Sequence, residues 1–285
     1  IQEDVNRTGD LITITDDPGT KSNIRPAGGD FTVGTSVPAP RILAPQDIAL
    51  LASMNIARVP VTRKPVIAIL ATGDELVMPG ETPGPDQIIA SNTYGLKARI
   101  EAEGAEARLL PIARDTVASL KQAFALAHGA DLIVTIGGAS VGDHDLIAPV
   151  AAKLGMEQAF YKVAMRPGKP LMAGKIAGAA MIGLPGNPVS AMVCGAIFVL
   201  PMLRRMLGLS NVHAPLHSAP LGREIGANGP RAHYMRANLR DGALYPDDQQ
   251  DSSLLSVLAQ ADALMIRPPQ DPARNAGEIQ QYILT

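Results

Sequence analysis

The sequence contains one cysteine and no tryptophan, and aromatic residues make up only 3% of it. A single cysteine, Cys194, cannot form a disulfide within the chain or build a cysteine-based metal site. We therefore expect a reducing, cytoplasmic compartment. Cys194 lies in an apolar helical run and is expected to be a small buried hydrophobe. So few aromatic side chains argue against a stacking platform for single-stranded nucleic acid.

Net charge and long apolar segments are scarce as well. The formal net charge of −2 gives no electrostatic basis for binding nucleic acid or an acidic membrane. No signal peptide is predicted, and no apolar span of about 18 residues. Because the chain starts with Ile1 and its first residues already have a strand pattern, we expect a further segment upstream.

The 285 residues, 46% of them hydrophobic, are enough for two or three domains. Residues 1–19 hold alternating runs at 3–7 and 11–15, which predict a hairpin, the remnant of a small β domain. Residues 20–62 read as a linker or part of an N-terminal α+β domain, with a helix at 45–55. This helix is expected to carry Ile48, Leu51 and Ala52 on one face. Residues 63–210 predict an α/β domain, and residues 211–285 a small β domain.

From residue 63 onward the pattern alternates between strands and helices. Strands are predicted at 66–71, 107–112, 132–136, 159–165, 171–176 and 179–184, and helices at 91–103, 116–128, 146–154 and 188–207. The alternation predicts a mainly parallel sheet with helices on both faces, a three-layer α/β sandwich. In the last domain, strands at 233–239, 264–267 and 279–284 with a helix at 252–259 predict a β-barrel-like fold.

Predicted strands of the middle domain run directly into polar motifs. These motifs are TGDEL at 72–76, Arg114-Asp115, GGASVGDHD at 137–145 and PGNP at 185–188. The carboxyl ends of parallel strands share one edge of a sheet, where ligands bind. The Gly-rich turn also presents backbone N–H groups to an anion without a clashing Cβ. The shared edge therefore predicts one binding site built from all four motifs.

Four acidic residues fall on that edge: Glu75, Asp115, Asp143 and Asp145. As a set they suit an octahedral Mg²⁺ that also binds phosphate oxygens. Taken singly, each residue is more often a helix cap or a solvated loop acid, and Asp115 is a good N-cap candidate before Thr116. The five histidines show no metal-ligand spacing.

Two further motifs carry polar groups that could meet the same ligand. Arg166-Pro167-Gly168-Lys169-Pro170 holds two cations in a loop stiffened by prolines, although a plain turn with solvated basic residues is the alternative. In the PGNP motif, Asn187 is predicted to cap the long helix with Pro188 at its first position. That helix end also offers free N–H groups to a ligand.

The ordered set of these motifs, with Ser91-Asn92-Thr93, resembles the molybdopterin molybdenumtransferase family, which is similar to the E domain of gephyrin. SNIRPAGGDFTVG at 22–34 resembles the family's Asn-Ile-Arg-x-x-Gly-Glu-Asp segment. RAHYMR at 231–236 resembles its Gly-Arg-x-Glu-Phe-x-Arg motif. The resemblance implies a Mg²⁺-dependent transferase of molybdenum cofactor biosynthesis that inserts molybdate into adenylylated molybdopterin and releases AMP.

The resemblance also implies roles for individual residues. It implies functional acids at Glu75, Asp115 and Asp145, with Asp143 completing the metal ligands. It implies oxyanion contacts for molybdate from Arg166, Lys169, Arg236 and Ser252. It implies molybdopterin contacts at Ser91, Asn92, Gly137, Gly138, Ser140, Val141, Gly142, Pro167, Lys169, Pro170, Pro185, Gly186, Asn187 and Pro188. The implied partners are a second copy in a homodimer and the molybdopterin adenylyltransferase.

The sequence departs from the family pattern at three places. Gly29 stands where the family has Glu, and Ala90 where an acid is common. The family's N-terminal Asp-x-Ser-x-x-Asp-Gly motif, which completes the site across the dimer, is absent. We therefore expect that a chain with this start can bind its ligand and still be inactive. Two other functions remain open: the molybdopterin adenylyltransferase, which normally consists of the middle domain alone, and a non-enzymatic gephyrin-like scaffold.

Overall fold

A computed structural model describes residues 2–15, 25–138 and 146–285. The chain divides into two compact units, Ile1–Pro60 and Val61–Thr285. The first unit begins with a 3₁₀ turn, Gln2–Asp4, and an antiparallel hairpin of strands β1 (Val5–Thr8) and β2 (Leu11–Ile14). The structure thus confirms the hairpin expected at 3–7 and 11–15.

The first unit also contains helix α1, Pro45–Ser53. Its buried residues are Asp47 and Leu51, one turn apart, and Asp47 pairs with Arg41 at 2.8 Å. The three residues expected on one face differ in burial: Leu51 is buried, whereas Ile48 is 58% exposed and Ala52 is exposed too.

The second unit contains fourteen strands and six helices in its described part. The strands are β3 Val66–Ala71, β4 Leu76–Val77, β5 Ile88–Ile89, β6 Glu106–Leu109, β7 Leu132–Ile136, β8 Glu157–Tyr161, β9 Met165–Arg166, β10 Met172–Ile176, β11 Ala179–Leu184, β12 His217–Pro220, β13 Ala232–Arg240, β14 Ala243–Pro246, β15 Ala263–Arg267 and β16 Ile279–Leu284. The helices are α2 Asn92–Ala102, α3 Val117–Leu126, α4 Ile147–Lys153, α5 Pro188–Cys194, α6 Leu200–Met206 and α7 Leu255–Gln260.

The central sheet has the strand order β6-β3-β7-β11-β10-β8. Its first four strands are parallel, β10 pairs antiparallel with β11, and β8 pairs antiparallel with β10. Alternate residues of β3 face opposite layers, as strand geometry requires. Ile67 belongs to one apolar cluster with Leu96 of α2, whereas Leu70 belongs to another with Leu120 of α3 and Ile147 of α4. The structure thus confirms the three-layer α/β sandwich.

A long apolar helix runs from Pro188 to Met206, with a π-helical turn at Gly195–Val199 between α5 and α6. The helix has 19 residues and a mean hydropathy of 1.5, so by length and composition alone it is long and apolar enough to cross a membrane. The expectation that the chain contains no apolar span of about 18 residues is therefore wrong. Half of the residues in its apolar window are buried inside the protein. Cys194 lies there fully buried, as expected, and burial raises the pKa of its thiol to about 12.

Two predicted strands are wrong in extent. The strand at 159–165 is divided between β8 of the central sheet and β9, which joins β13 of the other sheet. The chain changes sheets near Lys162, which has a left-handed φ of 66°. The strand at 107–112 ends at Leu109 because Pro111 has no N–H to continue a ladder.

The second sheet has the order β12-β16-β15-β13-β14, with β9 on β13. In the described residues this path is open rather than a closed barrel. One bridge, Leu221 to Leu244, brings its two ends together, so barrel-like closure rests on a single residue pair. The short β9–β13 pairing carries the RPGKP segment onto this sheet.

Candidate functional site

A cavity of about 210 Å³ opens where the parallel strands of the central sheet end. The strand ends converge there because β3, β7 and β11 are parallel neighbours. The cavity brings together these sequence-predicted residues: Glu75, Ser91, Asn92, Gly137, Gly186, Asn187 and Pro188. Pro185 precedes this turn, and Gly138 adjoins Gly137.

The start of the Gly-rich turn is closely packed. Gly137 and Gly138 have φ values of 92° and 57°, in the left-handed region that favours glycine. A Cβ on Gly137 would lie 2.7 Å from the carbonyl oxygen of Thr72, and one on Gly138 would lie 2.6 Å from Cδ1 of Ile147. Both glycines are thus required by packing as well as by conformation. The rest of the turn, with Ser140, Val141, Gly142, Asp143 and Asp145, lies outside the described residues.

The acidic residues divide into two places. Glu75 lines the cavity, with its carboxylate folded over Gly73. The backbone N–H of Asp115 donates to the Asp74 carboxylate at 3.2 Å, so Asp74, which the sequence interpretation passed over, contacts Asp115. Asp115 is not the helix cap. Thr116 is, and its hydroxyl accepts the N–H of Ser119 at 3.2 Å.

The described residues include two of the four predicted Mg²⁺ ligands. Within residues 2–15, 25–138 and 146–285, no three His, Cys, Asp or Glu side chains are close enough to hold a metal. Glu75 and Asp115 are the described members of the predicted ligand set. Asp143 and Asp145 are the others, and both lie outside the described ranges.

The PGNP turn joins two distant parts of the second unit. Asn187 occupies the N-cap position with Pro188 next, as predicted, but its side chain makes no capping hydrogen bond. Its Nδ2 instead donates to Oγ of Ser252 at 3.0 Å. The N–H of Val189 donates to the carbonyl of Ser252 at 3.0 Å. Ser252, predicted as an oxyanion contact, is thereby held at the start of α5.

Arg236 has an unusual environment for a cation. It is fully buried, and its Nη2 donates to the carbonyl oxygens of Gln249 at 2.9 Å and Asp251 at 3.0 Å. Its Nε and Nη1 are buried without a hydrogen-bond partner in the described structure. Burial lowers the pKa of the Arg236 guanidinium, and the nearby carboxylates of Asp247 and Asp251 oppose that shift. Two nitrogen atoms with unpaired N–H groups on a buried cation are suited to an anion.

The RPGKP segment supplies the other predicted cations. Arg166 is exposed and pairs in register with His233 through β9 and β13. Burial first, and then the positive charges of Arg166, Arg236, Arg267 and Arg231, lower the pKa of His233 to about 4. Lys169 is also exposed, and its carbonyl accepts the N–H of Val163 at 3.1 Å. Pro167, Lys169 and Pro170 are not among the residues that line the strand-end cavity.

Sequence reasoning missed several residues of the site. Thr72 lines the cavity, and its hydroxyl is buried without a hydrogen-bond partner among the described residues. Its place at the start of TGDEL could have identified it. Gln250 fixes the loop beside Arg236, because its Oε1 accepts the Arg236 N–H at 3.0 Å and its Nε2 donates to the Arg236 carbonyl at 2.9 Å. No local pattern marks Gln250.

Comparison with known families gives two matches. Residues 68–205 match the family described as a probable molybdopterin binding domain. Residues 218–285 match the MoeA C-terminal region, domain IV. The first match covers the central sheet and the cavity, and the second covers the sheet that carries Arg236.

Individual proteins are similar over nearly the whole chain. Molybdopterin molybdenumtransferase of Nostoc is 33% identical over 94% of this chain and 64% of its own length. The Haemophilus influenzae protein of the same name is 32% identical over 98% of this chain and 71% of its own length. The crystal structure of a molybdopterin biosynthesis MoeA protein from Pyrococcus horikosii aligns with a TM-score of 0.80 at 30% identity, covering 99% of this chain and 70% of that one.

Proposed function

Because the chain belongs to the molybdopterin molybdenumtransferase family, we propose that it serves in molybdenum cofactor biosynthesis by inserting molybdate into adenylylated molybdopterin, with release of AMP. The observation that carries the proposal is Arg236, which is fully buried with two unpaired nitrogen atoms. It binds a loop whose Ser252 contacts Asn187, a residue that lines the strand-end cavity. A buried guanidinium with unused donors is well matched to a tetrahedral oxyanion such as molybdate.

The oxyanion site combines groups from both sheets. Arg236 supplies two nitrogen atoms with unused donors. Ser252 is held by the PGNP turn, and Arg236 binds the carbonyl oxygen of the preceding residue, Asp251. Arg166 brings a second positive charge through the β9–β13 pairing. Lys169 lies in the same proline-rich loop as Arg166. We propose that its side chain is the fourth contact to molybdate.

Adenylylated molybdopterin would occupy the strand-end cavity. Gly137 and the PGNP turn line this cavity, and we propose that they contact its diphosphate. Ser91 and Asn92 line the same cavity. We propose the same role for Ser140, Val141, Gly142, Pro167, Pro170, Pro185, Gly186 and Pro188, as the family resemblance implies.

Mg²⁺ is proposed as the metal, held by Glu75, Asp115, Asp143 and Asp145. Glu75 meets the donor requirement, since its carboxylate lines the cavity where the diphosphate would lie. Carboxylate oxygens are hard ligands that suit this ion. When bound, Mg²⁺ would neutralise charge on the diphosphate; the chain's own residues would bind and orient the two substrates.

We further propose a cytoplasmic homodimer that receives its substrate from the molybdopterin adenylyltransferase. The proposed functional division is 1–19, 20–62, 63–210 and 211–285, with the site between the last two segments. The alternative that the chain is itself the adenylyltransferase accounts for none of residues 218–285, which match a MoeA region. No observation favours a purely structural scaffold.

The substitution Arg236→Met tests the proposal in the full-length protein. Methionine fills the space without donors, so molybdate affinity measured by calorimetry should fall about tenfold or more. Arg240→Met, on the same strand, is the matched control, because Arg240 is exposed and lies over Tyr245. AMP release from adenylylated molybdopterin should depend on molybdate and fall with Arg236→Met alone. Equal effects of the two substitutions would refute the assignment.

A further inference from the structure

Asn187 does not do what its position predicts. An N-cap asparagine normally accepts the N–H of the second or third helical residue. In this helix the second residue is Val189, and its N–H donates to the carbonyl of Ser252 at 3.0 Å. The cap is thus supplied by a residue of the other sheet's loop. The side-chain amide of Asn187 is left for a different bond, the one to the Ser252 hydroxyl at 3.0 Å.

The direction of this hydrogen bond matters. A serine hydroxyl has one proton to donate and lone pairs to accept with. Because Asn187 Nδ2 donates to Ser252 Oγ, a lone pair is used and the hydroxyl proton remains available for another acceptor. An oxyanion needs that proton and is repelled by lone pairs.

The surroundings leave the proton available. The nearest carboxylate along the chain, Asp251, accepts hydrogen bonds from the N–H of Ser253 at 2.8 Å and from its hydroxyl at 2.6 Å. These bonds lower the pKa of Asp251 and occupy an oxygen that could otherwise accept from Ser252. Ser252 follows directly on Asp251, whose carbonyl oxygen accepts from Arg236 Nη2 at 3.0 Å. The backbone that carries this hydroxyl is therefore held to the buried guanidinium one residue earlier.

We propose that Asn187 is a positioning residue that sets the polarity of the Ser252 hydroxyl, so that its proton is directed to the oxyanion bound by Arg236. The inference rests on the proposed function and deepens it. It assigns to the PGNP turn, which also lines the strand-end cavity, a role in molybdate recognition. Asn187 acts through Ser252 and not by touching molybdate.

Two substitutions of Asn187 in the full-length protein separate the direction of the Ser252 hydroxyl from the charge at position 187. In Asn187→Asp, the carboxylate accepts the Ser252 proton and the hydroxyl presents lone pairs to the anion. In Asn187→Ala the hydroxyl is free to turn. Calorimetric affinity for molybdate should fall about threefold in Asn187→Ala, which leaves the hydroxyl undirected. It should fall about thirtyfold or more in Asn187→Asp, which reverses the hydroxyl and adds a negative charge.

Ser252→Ala is the background that isolates the effect. In the Ser252→Ala background, Asn187→Asp still adds a negative charge, but there is no hydroxyl whose direction it could reverse. The loss of molybdate affinity caused by Asn187→Asp should therefore shrink to about threefold. Thermal unfolding verifies that each variant folds. Should Asn187→Asp not fold, Asn187→Ala and Ser252→Ala decide the matter, since their effects on molybdate affinity must be less than additive.

Two other outcomes are informative. Equal losses in Asn187→Ala and Asn187→Asp, or an Asn187→Asp effect that persists undiminished with Ser252→Ala, would overturn this inference and leave the proposed function standing. An unmodified full-length protein that binds no molybdate would overturn the proposed function and the inference together.

Discussion

The side-chain amide of Asn92 donates to the carbonyl oxygen of Gly186 at 2.8 Å, joining the first turn of α2 to the PGNP turn 94 residues later. Both residues line the strand-end cavity. Together with the bond from Asn187 to Ser252, this contact connects α2, the PGNP turn and the loop of the second sheet. The cavity wall is therefore held by side-chain amides that bridge segments distant in sequence.

Asn92→Asp should weaken this wall. An aspartate cannot donate to the Gly186 carbonyl, and its charge repels a polyanionic ligand. We expect a loss of about 1 kcal/mol in the free energy of unfolding and a fall in affinity for AMP. Asn92→Ala should cost similar stability but less affinity. Chemical denaturation and calorimetry measure both quantities. The control is Asn55→Asp at an exposed position; an equal loss of AMP affinity there would contradict the prediction.

Gly137→Ala should destabilise the protein more than a glycine substitution at an open position. Gly129 has a similar φ, 78°, but a Cβ there meets nothing within 4 Å. Gly129→Ala should cost about 1 kcal/mol for the left-handed conformation alone. Gly137→Ala adds a contact with the Thr72 carbonyl and should cost about 1–3 kcal/mol more. Urea unfolding of both variants measures the difference, and equal costs would show that the close approach is unimportant.

Protein stability should fall on acidification because of His233. Its pKa is lowered to about 4 in the folded protein, below the usual value of 6.5, so the unfolded chain binds the proton more readily. The stabilising contribution is complete above pH 6.5 and is lost as the pH falls toward 4. Across that window the loss amounts to roughly 3 kcal/mol.

The variant His233→Asn should remove this pH dependence, whereas His213→Asn at an exposed position should retain it. Urea unfolding at several pH values between neutrality and mild acid provides the measurement. A wild-type profile that is unchanged in His233→Asn would assign the acid sensitivity to other groups.

Asp145→Asn should reduce molybdate insertion more than it reduces binding of adenylylated molybdopterin. Removing a carboxylate near a polyanion relieves repulsion, so binding without Mg²⁺ should be equal or stronger. Turnover should fall if the loss of this proposed Mg²⁺ ligand removes stabilisation of the transition state. Calorimetry with and without Mg²⁺ and AMP release measure the two effects. Unchanged AMP release in Asp145→Asn would show that Asp145 is not a catalytic residue.

Local sequence determined the central elements of this protein. The strands at 66–71, 132–136 and 179–184 have the bounds expected, because a buried parallel strand leaves a continuous apolar run that ends at glycine or a polar motif. Pro188 likewise begins its helix as predicted, because proline fits the first helical position. The cavity at the strand ends follows from the shared direction of those strands, so its glycines and Glu75 could be identified in advance.

Only the tertiary structure decided how the second sheet completes the site. The sequence predicted that Asn187 would cap its own helix, but Ser252, 65 residues away, supplies that hydrogen bond and frees the amide. Likewise, nothing local indicated that Arg236 would be fully buried with two donors unused. Such features depend on which groups packing brings together and which it leaves unpaired. Hydrogen bonds between distant segments form only when packing brings those segments together. The pattern of apolar residues within each segment does not predict them.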